Sequence, residues 1–307
     1  MKRIINKLYF NKSIWSIGIY ESNDAINIYE PHHIKNPVLT YKDVTDTKAE
    51  FIADPFIIKY NDKWYMFFEI LDEIKNKGIL GLAISDDGYS WKYEQIVLEE
   101  DFHLSYPYVF EYNNKIYMMP ETGESGYIKL YEADEFPYKW KEVKNLIKGA
   151  YWDASLLTYN DEWFIFAYTN RPHINTLAIF YSDDLLGEWK EHPCSKSITN
   201  NPNITRPAGR IINNNGRLIR YSQDRSEYYG KLVRAIEILE LSKSKYSEKE
   251  IGIIAGDSQI KNSWNKDGMH TVDMNKTSDN KWIVAVDGHY FKPVNKITEK
   301  IKNRFRK

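Results

Sequence analysis

The sequence predicts an all-β fold, a five-bladed β-propeller in which each blade has four strands. A hairpin motif occurs five times, at a spacing of about fifty residues. An acidic turn followed by a tryptophan comes after each of the first three hairpins. Two β-like runs near the N-terminus supply strands for a last blade that would otherwise be incomplete.

The hairpin motif is clearest in residues 53–69, ADPFIIKYNDKWYMFFE. Asp54 begins an apolar run, Asn61-Asp62 interrupts it, and Glu69 ends the second run. Asn and Asp adopt the backbone angles that two-residue hairpin loops require, so this segment reads as strand, tight turn, strand.

Four later segments repeat this hairpin. Residues 105–121 and 152–168 align with it without a gap, and 205–223 and 269–287 are looser copies. An all-β sandwich with accidental internal similarity is the alternative. The hairpins predict blade starts near residues 53, 105, 152, 205 and 269.

The recurring tryptophans are Trp91, Trp140 and Trp189, and both intervals between them are 49 residues. In each case the acidic turn follows an apolar run, which places it between a third and a fourth strand. We therefore expect the three tryptophans at equivalent fourth-strand positions, largely buried between neighbouring sheets.

The two ends of the chain are expected to meet in the fifth blade. Only about twenty residues follow the last hairpin, too few for two strands and a tail. Residues 14–30 contain two β-like runs that can serve as the outer strands and close the ring, which removes exposed sheet edges. The alternative is an N-terminal segment that only packs across one face. We expect one domain over residues 1–295.

Residues 296–307, KITEKIKNRFRK, form a basic tail. Ile297, Ile301 and Phe305 are four residues apart and would share one helix face, with Lys and Arg around them. Such a helix can lie on an anionic membrane surface, and a solvated or lightly docked helix is the alternative.

Composition excludes several classes of protein. The 307 residues carry a formal net charge of −1, which gives no global field for nucleic acid, and Cys194 is the only cysteine. No uninterrupted apolar run resembles a signal peptide, so we expect a cytoplasmic protein with peripheral membrane contact at most. No phosphate-binding loop or metal-spaced Cys/His cluster occurs, so we expect neither a cofactor nor a metal.

The first strands of a propeller line its central channel, so residues at one aligned position meet at one mouth. That position is occupied by Asp54, Tyr106, Asp153, Arg206 and His270. Ser105, Trp152 and Asp273 are close neighbours, and the second strands end at Glu69, Glu121, Tyr168, Gln223, Asp224 and Asp287. Charged groups are rarely buried unless they are paired or functional, so this ring is either a candidate site or a set of salt bridges and caps between blades.

Several motifs carry a family resemblance. They are ADPF at 53–56, FFE at 67–69, HLSYPYVF at 103–110, MPE at 119–121, EADEFPYKW at 132–140, GEWKEHP at 187–193, RPAGR at 206–210 and RYSQDRSEYYG at 220–230. Over most of its length the chain resembles the N-terminal domain of plant glucosamine inositolphosphorylceramide transferases and their bacterial relatives. The ADPF hairpin and the five-fold repeat also resemble glycoside hydrolase family 43. In the plant proteins a separate glycosyltransferase domain is taken to perform the transfer.

The hydrolase resemblance implies an Asp as general base in blade one, an Asp as pKa modulator in blade two and a Glu as general acid in blade three. Asp54 matches the first, but the aligned residues Tyr106 and Asp153 depart from the other two. We therefore expect catalysis, if it occurs, by Asp54 together with either Asp153 or Glu121.

Basic residues at the same mouth suit an oxyanion. Arg206, Arg220, Arg225 and His270 have no role in the minimal hydrolytic scheme, and arginine pairs well with phosphate. The candidate substrate-binding residues are Glu69, Tyr106, Arg206, Arg220, Gln223, Asp224, His270 and Asp273.

Three functions are compatible with these residues. The first is glycosyl transfer in intracellular synthesis of a surface polysaccharide or glycolipid, with a phosphorylated donor or acceptor. The second is a glycosidase related to family 43, and the third is a sugar-binding module without turnover. All three predict a sugar, nucleotide-sugar or glycan as ligand, and no nucleic acid.

Overall fold

Five antiparallel sheets of four strands follow one another along the chain and form the blades of the predicted propeller. The structure is a computed structural model, which describes residues 8–277 and 279–299. Almost all of its regular structure is β, so the predicted fold class is confirmed. The described residues contain no helix long and apolar enough to cross a membrane.

Blades one and two have the order expected from the repeat, with each strand paired to the next. Blade one consists of β3 (Ala49–Tyr60), β4 (Lys63–Asp72), β5 (Lys77–Ser85) and β6 (Lys92–Leu98). Blade two consists of β7 (Ser105–Tyr112), β8 (Lys115–Glu121), β9 (Tyr127–Glu135) and β10 (Lys139–Lys148), with a short 3-10 helix at Gly123–Ser125.

Blades three and four follow the same order with local irregularities. Blade three consists of β11 (Trp152–Tyr159), β12 (Glu162–Thr169), β13 (Thr176–Ser182) and β14 (Lys190–Glu191). In blade four the first strand is split into β15 (Arg206–Pro207) and β16 (Ile212–Asn214), both paired with β17 (Arg217–Asp224), and β18 (Leu232–Leu241) and β19 (Tyr246–Gly256) complete the sheet.

Blade five joins the two ends of the chain, as predicted. Its strands, from the channel outward, are β20 (Val272–Lys276), β21 (Trp282–Asn295), β1 (Tyr9–Ser22) and β2 (Ile28–Tyr29). β1 pairs with β21 over its whole length, from Tyr9 opposite Asn295 to Ser22 opposite Trp282. The N-terminal segment therefore closes the ring, and it starts earlier than residue 14. Residues 300–307 of the basic tail lie outside the described residues.

The hairpin turns have the backbone angles that the sequence predicts. In the first three blades both central residues of the turn have positive φ, which a two-residue loop needs in order to match the twist of its strands. These residues are Asn61 (48°) and Asp62 (62°), Asn113 (50°) and Asn114 (58°), and Asn160 (51°) and Asp161 (61°).

The three repeated tryptophans occupy equivalent positions at the start of the fourth strands. Each indole nitrogen donates to a carbonyl of the preceding turn, from Trp91 to Gly88 at 2.9 Å and from Trp140 to Pro137 at 3.0 Å. The expectation that they are largely buried is wrong, because all three are only half-buried. The fourth strand is the outer rim of its blade, so one side of each ring faces solvent.

Apolar side chains pack between neighbouring blades. One cluster combines Phe56 and Phe67 of blade one with Tyr108 and Met118 of blade two and Leu156 of blade three. Separate clusters fill the boundaries between blades five and one, four and five, and three and four. The core is therefore divided into wedges around the channel, and the channel itself is left to polar groups.

Arg210 occupies the channel and joins four blades. Its Nε donates to Asp273 of blade five at 2.9 Å, and Nη2 donates to the carbonyl of Val109 in blade two at 3.0 Å and that of Ile57 in blade one at 3.4 Å. The guanidinium also lies 4.8 Å from the ring centroid of Tyr108. Asp273, predicted to bind substrate, is fully buried in this ion pair and belongs to the structural support of the channel.

We predict that Arg210→Met destabilises the protein by about 3–5 kcal/mol, because it leaves the buried carboxylate of Asp273 without its cation. Chemical denaturation followed by fluorescence measures the loss. Arg217→Met, which removes an exposed arginine paired with Glu237, is the matched control and should change stability by about 0.5 kcal/mol or less. A loss for Arg210→Met as small as that of the control would contradict the role of this ion pair.

Candidate active site

A repeated β-bulge places one side chain from each of the first three blades at the channel mouth. Asp54, Tyr106 and Asp153 have φ of 52°, 46° and 52°. The pairing register of their strands shifts at these points, between Ala53 and Phe56 in blade one and at the aligned places in blades two and three. Left-handed backbone is uncommon for such residues and costly for a bulky Tyr, so strain recurring at one position points to a functional constraint.

Asp54 lies at the centre of a buried hydrogen-bonded group formed with blade five. Its Oδ1 accepts from the hydroxyl of Thr271 at 2.6 Å and lies 3.5 Å from Nε2 of His270. Nδ1 of His270 lies 2.8 Å from Oδ2 of Asp287. Asp287 also accepts the backbone N–H groups of Asp54, His270 and Thr271, each at 3.0 Å. The imidazole is thus held between two carboxylates.

Asp153 is engaged by blade four. Nε and Nη2 of Arg206 both donate to its carboxylate, and Nε2 of Gln223 donates to Oδ2 at 2.8 Å. This bidentate ion pair makes Asp153 a less suitable acid than Glu121. The ion pair also fixes the guanidinium of Arg206, and Nη1 of that group remains available for a ligand.

Tyr106 forms the floor beneath these carboxylates. Its hydroxyl lies 2.9 Å from Oγ of Ser155 and donates to the carbonyl of Gly209 at 3.1 Å. The ring is fully buried. Tyr106 therefore joins blades two, three and four, and it supports the site without facing a ligand.

Glu121 and Glu69 are buried carboxyl groups that have no Lys or Arg partner among the described residues. Oε1 of Glu121 accepts the N–H of Gly123 at 2.6 Å, and Oε2 accepts from Ser105 at 3.4 Å. Oε1 of Glu69 lies 3.3 Å from Nε2 of His103. Nδ1 of His103 accepts the N–H of Gly78 at 2.9 Å, so a neutral His103 carries its proton on Nε2, facing Glu69.

The carboxyl groups differ in acidity because their surroundings differ. Burial raises the pKa of Asp54 to about 6, with His270 opposing the rise and Asp153 and Asp287 adding to it. Burial and the charge of Asp153 raise the pKa of Glu121 to about 8. Burial and the neighbouring carboxylates hold the pKa of Glu69 well above its usual range. At neutral pH Asp54 is therefore mainly ionised, and Glu121 is mainly protonated.

Aromatic rings surround the mouth. Tyr229 is 44 % exposed, and its ring lies edge-on to that of His270, with 5.1 Å between the two ring centroids. The guanidinium of Arg206 lies 5.2 Å from the ring centroid of Tyr229. Trp15 is buried against the other side of His270 at 4.1 Å. Trp152 is half-buried beside Tyr168. Exposed and half-buried rings above buried carboxyl groups are what a sugar-binding site requires.

Asp54, His270 and Asp287 also offer ligand atoms that lie within 4.8 Å of one another, close enough for a metal ion. The same atoms satisfy one another through hydrogen bonds and ion pairs, as described above. We therefore interpret the group as a proton-sharing cluster, and the expectation of no metal stays a prediction.

Two sequence-predicted site residues lie apart from the mouth. Arg220 is buried in a bidentate pair with Glu248 at 2.6 and 2.7 Å. Asp224 accepts from Nε of Arg234 at 2.8 Å. Each side chain reaches across the sheet to a partner on an outer strand, Glu248 of β19 or Arg234 of β18. Both groups are thus occupied within blade four, and their role in ligand binding stays a prediction.

Sequence comparisons identify relatives of the whole chain. A family description, "Glucosamine inositolphosphorylceramide transferase 1, N-terminal", matches residues 8–289. The rice (Oryza sativa subsp. japonica) glucosamine inositolphosphorylceramide transferase 1 is 32% identical over 93% of this chain, and the Arabidopsis thaliana protein is 33% identical over 91%. The chain belongs to this family of N-terminal domains. It spans 41% of the rice protein and 39% of the Arabidopsis protein.

Solved structures share the fold with the family. A β-1,2-mannobiose phosphorylase from Listeria innocua superposes with a TM-score of 0.62 at 12% identity, covering 88% of this chain and 96% of the phosphorylase. A thermostable family-43 glycoside hydrolase gives 0.59 at 16% identity, covering 84% and 93%. At these identities the likeness establishes the propeller fold alone.

Four residues of the site were not predicted from the sequence, although the family motifs contain three of them. His103 begins HLSYPYVF, Arg210 ends RPAGR, and Tyr229 lies in RYSQDRSEYYG. The fourth, Trp15, lies in the N-terminal strand. His103 and Tyr229 belong to loops between strands, and Trp15 comes from the other end of the chain, so alignment of the hairpins alone could not reach them.

We predict that Glu121→Gln stabilises the protein increasingly as pH rises. The pKa of Glu121 is about 8 in the folded protein and close to 4.5 when unfolded, so its stabilising protonation is complete below about 4.5 and lost as pH rises through 8. Gln cannot ionise but can still accept from Gly123. The difference in free energy of unfolding between Glu121→Gln and wild type should therefore increase, in favour of the variant, by about 2 kcal/mol or more from pH 5 to pH 8.5. The exposed Glu94→Gln is the control. Parallel stability curves for wild type and Glu121→Gln would contradict the assignment.

Proposed function

We propose that the channel mouth is the active site of a carbohydrate-active enzyme that transfers a glycosyl group in glycan or glycolipid synthesis. The donor or the acceptor is phosphorylated. The observation that carries this proposal is the meeting, in one mouth, of an ionised Asp54, a protonated Glu121 and the cationic Arg206. Carboxyl groups with separated pKa values can serve as base and acid at the same pH.

In this proposal Asp54 is the base that accepts a proton from the acceptor hydroxyl. Its pKa of about 6 leaves it mainly ionised at pH 7, and the rise above the ordinary value makes it a stronger base than a solvated carboxylate. His270 and Asp287 act as positioning residues. Asp287 accepts the backbone N–H of Asp54 and so fixes the backbone there. His270 lies against the carboxylate of Asp54.

Glu121 is the acid in the same scheme. Its pKa of about 8 keeps it protonated at pH 7, so it can give a proton to the leaving oxygen. The N–H of Gly123 on Oε1 fixes the orientation of the carboxyl group. Arg206 neutralises charge on a phosphoryl group, and Tyr229 offers a face for a sugar ring.

The names of relatives support this proposal. The plant relatives are called glucosamine inositolphosphorylceramide transferases, a name that denotes glycosyl transfer. The chain spans about two fifths of the plant proteins, so the assignment of any part of their activity to this domain is a proposal.

Hydrolysis is the second candidate, favoured by the pair of carboxyl groups with separated pKa values. Water would replace the acceptor hydroxyl at Asp54, as in glycosidases that use two carboxyl groups. The ion pair between Arg206 and Asp153 distinguishes the two candidates, because a neutral glycan makes no use of a cation at this position. A binding module without turnover is the remaining alternative.

We predict that Asp54→Asn lowers turnover by about a hundredfold or more and leaves ligand affinity within about threefold, because it removes the base but keeps the shape of the side chain. Arg206→Ala should instead lower the affinity for a phosphorylated ligand by about tenfold or more. Calorimetry and turnover assays with a panel of nucleotide-sugars, sugar phosphates and neutral oligosaccharides measure both effects.

The exposed Asp86→Asn, which removes the same charge far from the mouth, is the control for Asp54→Asn. Binding restricted to neutral oligosaccharides and unchanged by Arg206→Ala would overturn the transfer proposal in favour of the hydrolase or the binding module.

We also predict a bell-shaped dependence of kcat/KM on pH. Activity should rise as Asp54 ionises with a pKa of about 6 and fall as Glu121 loses its proton with a pKa of about 8. Glu121→Gln should lower the maximum and abolish the alkaline limb while keeping the acidic one. A wild-type profile that is flat between pH 5 and pH 9 would exclude these two groups as base and acid.

A further inference from the structure

Arg225 differs from the other arginines in its electrostatic surroundings. The described residues include seven arginines, and five of them pair with a carboxylate: Arg206, Arg210, Arg217, Arg220 and Arg234. Within the described part of the chain Arg225 and Arg171 have no such partner. Arg171 lies on an exposed loop, whereas Arg225 is half-buried. A partly desolvated guanidinium without a counter-charge is unfavourable unless a ligand supplies the charge.

Neutral groups hold Arg225 in a fixed position. Its guanidinium lies 4.3 Å from the ring centroid of Tyr168, and Nη2 donates to Oδ1 of Asn175 at 2.8 Å. Its backbone N–H donates to the carbonyl of Pro202 at 3.0 Å. Nε is buried and has no hydrogen-bond partner among the described residues. The side chain is therefore oriented in advance, and because Nε is buried, the N–H groups that remain for a ligand are those of the terminal nitrogens Nη1 and Nη2.

The acidic residues beside Arg225 in the chain are occupied elsewhere. Asp224 accepts from Nε and Nη2 of Arg234 at 2.8 and 2.6 Å and from the N–H of Ser226. Glu227 is paired with Lys231. Neither carboxylate compensates the guanidinium of Arg225.

Arg206 shares the same aromatic ring. Its guanidinium lies 5.5 Å from the centroid of Tyr168, so two guanidinium groups lie close to the same tyrosine at the boundary between blades three and four. Asp153 uses Nε and Nη2 of Arg206, which leaves Nη1. Two guanidinium groups held by one ring match an anion with two adjacent charged groups better than a single carboxylate.

We infer that Arg206, Arg225, Tyr168 and Asn175 form a subsite for a diphosphate group, such as that of a glycosyl donor. This inference rests on the proposed function for its role in the reaction, and on the geometry of the arginines for its existence. The diphosphate enters between blades three and four, and the attached sugar extends toward Asp54 and Glu121. Arg225 is then a specificity residue that selects diphosphates over monophosphates and sugar acids.

The test is calorimetry of the whole chain with inorganic pyrophosphate, inorganic phosphate and glucuronate. Wild type should bind pyrophosphate more tightly than the other two probes. Arg225→Gln should lower the affinity for pyrophosphate by about tenfold or more, because it removes a charge-assisted hydrogen bond. Arg225→Lys keeps the charge without the planar fork and should recover only part of the affinity. Arg217→Gln, at the first residue of β17, is the control and should leave binding unchanged, because Arg225 follows the other end of that strand.

Failure of this inference is distinguishable from failure of the proposed function. Pyrophosphate affinity equal to wild type in Arg225→Gln, a preference for glucuronate, or no binding of pyrophosphate would overturn the subsite. Turnover that survives in Asp54→Asn would overturn the proposed chemistry without affecting the subsite. Melting temperatures of the two Arg225 variants exclude misfolding as the cause of lost affinity.

Discussion

The structure depends on how charge is compensated along the channel of the propeller. Apolar wedges hold neighbouring blades together, and buried polar and charged groups from the first strands meet in the channel between them. Arg210 fills that axis and satisfies Asp273 and two carbonyl groups from other blades. The hydroxyl of Tyr106 donates a hydrogen bond to the carbonyl of Gly209. Only glycine fits there, because a Cβ would lie 1.7 Å from the carbonyl oxygen of Val272 and φ is +139°. Arg210 with its partners, and Tyr106 with Gly209, thus form a hydrogen-bonded floor beneath the mouth.

The mouth itself departs from this rule of compensation. Asp153 and Asp287 have cationic partners, whereas Glu69 and Glu121 are buried without one, and Asp54 shares His270 with Asp287. Burying an ionised carboxyl group costs stability, so burial raises the pKa of all three groups. At neutral pH this keeps Glu121 mainly protonated, whereas Asp54, with a pKa of about 6, remains mainly ionised. A purely structural channel could use the pattern of Arg210 and Asp273 throughout. Uncompensated carboxyl groups in a rigid setting are typical of sites where function opposes stability.

The fold could be predicted from the sequence because each blade repeats the same local choices. Asn61-Asp62 and its counterparts specify the turns, and the aligned Asp54, Tyr106 and Asp153 mark the bulges. The site was harder to predict for two reasons. Arg220 and Asp224 lie on the correct strand, but strand alternation and the pairing of β17 with longer outer strands turn them toward Glu248 and Arg234. Tyr229 comes from a loop between strands, where no repeat fixes the alignment. Half-burial of Trp91 likewise follows from its place at the rim, which the spacing of tryptophans does not reveal.

The distribution of charge around the mouth is asymmetric, and this asymmetry determines how a ligand can enter. Blades one to three contribute Asp54, Glu69, Glu121 and Asp153. Blades four and five contribute Arg206, Arg225 and His270, together with Asp287, which is paired with the imidazole of His270. Arg206 is paired with Asp153 through Nε and Nη2 and Arg225 has no carboxylate partner among the described residues, so the excess positive charge lies on the blade-four side, and the carboxyl groups without a cation lie in blades one and two. Under the proposed function a donor with an anionic and a neutral part therefore has one favourable orientation, with its phosphoryl groups toward blade four and its sugar over the acid and base. The reverse orientation would place phosphate against buried carboxyl groups, and the like charges would exclude it.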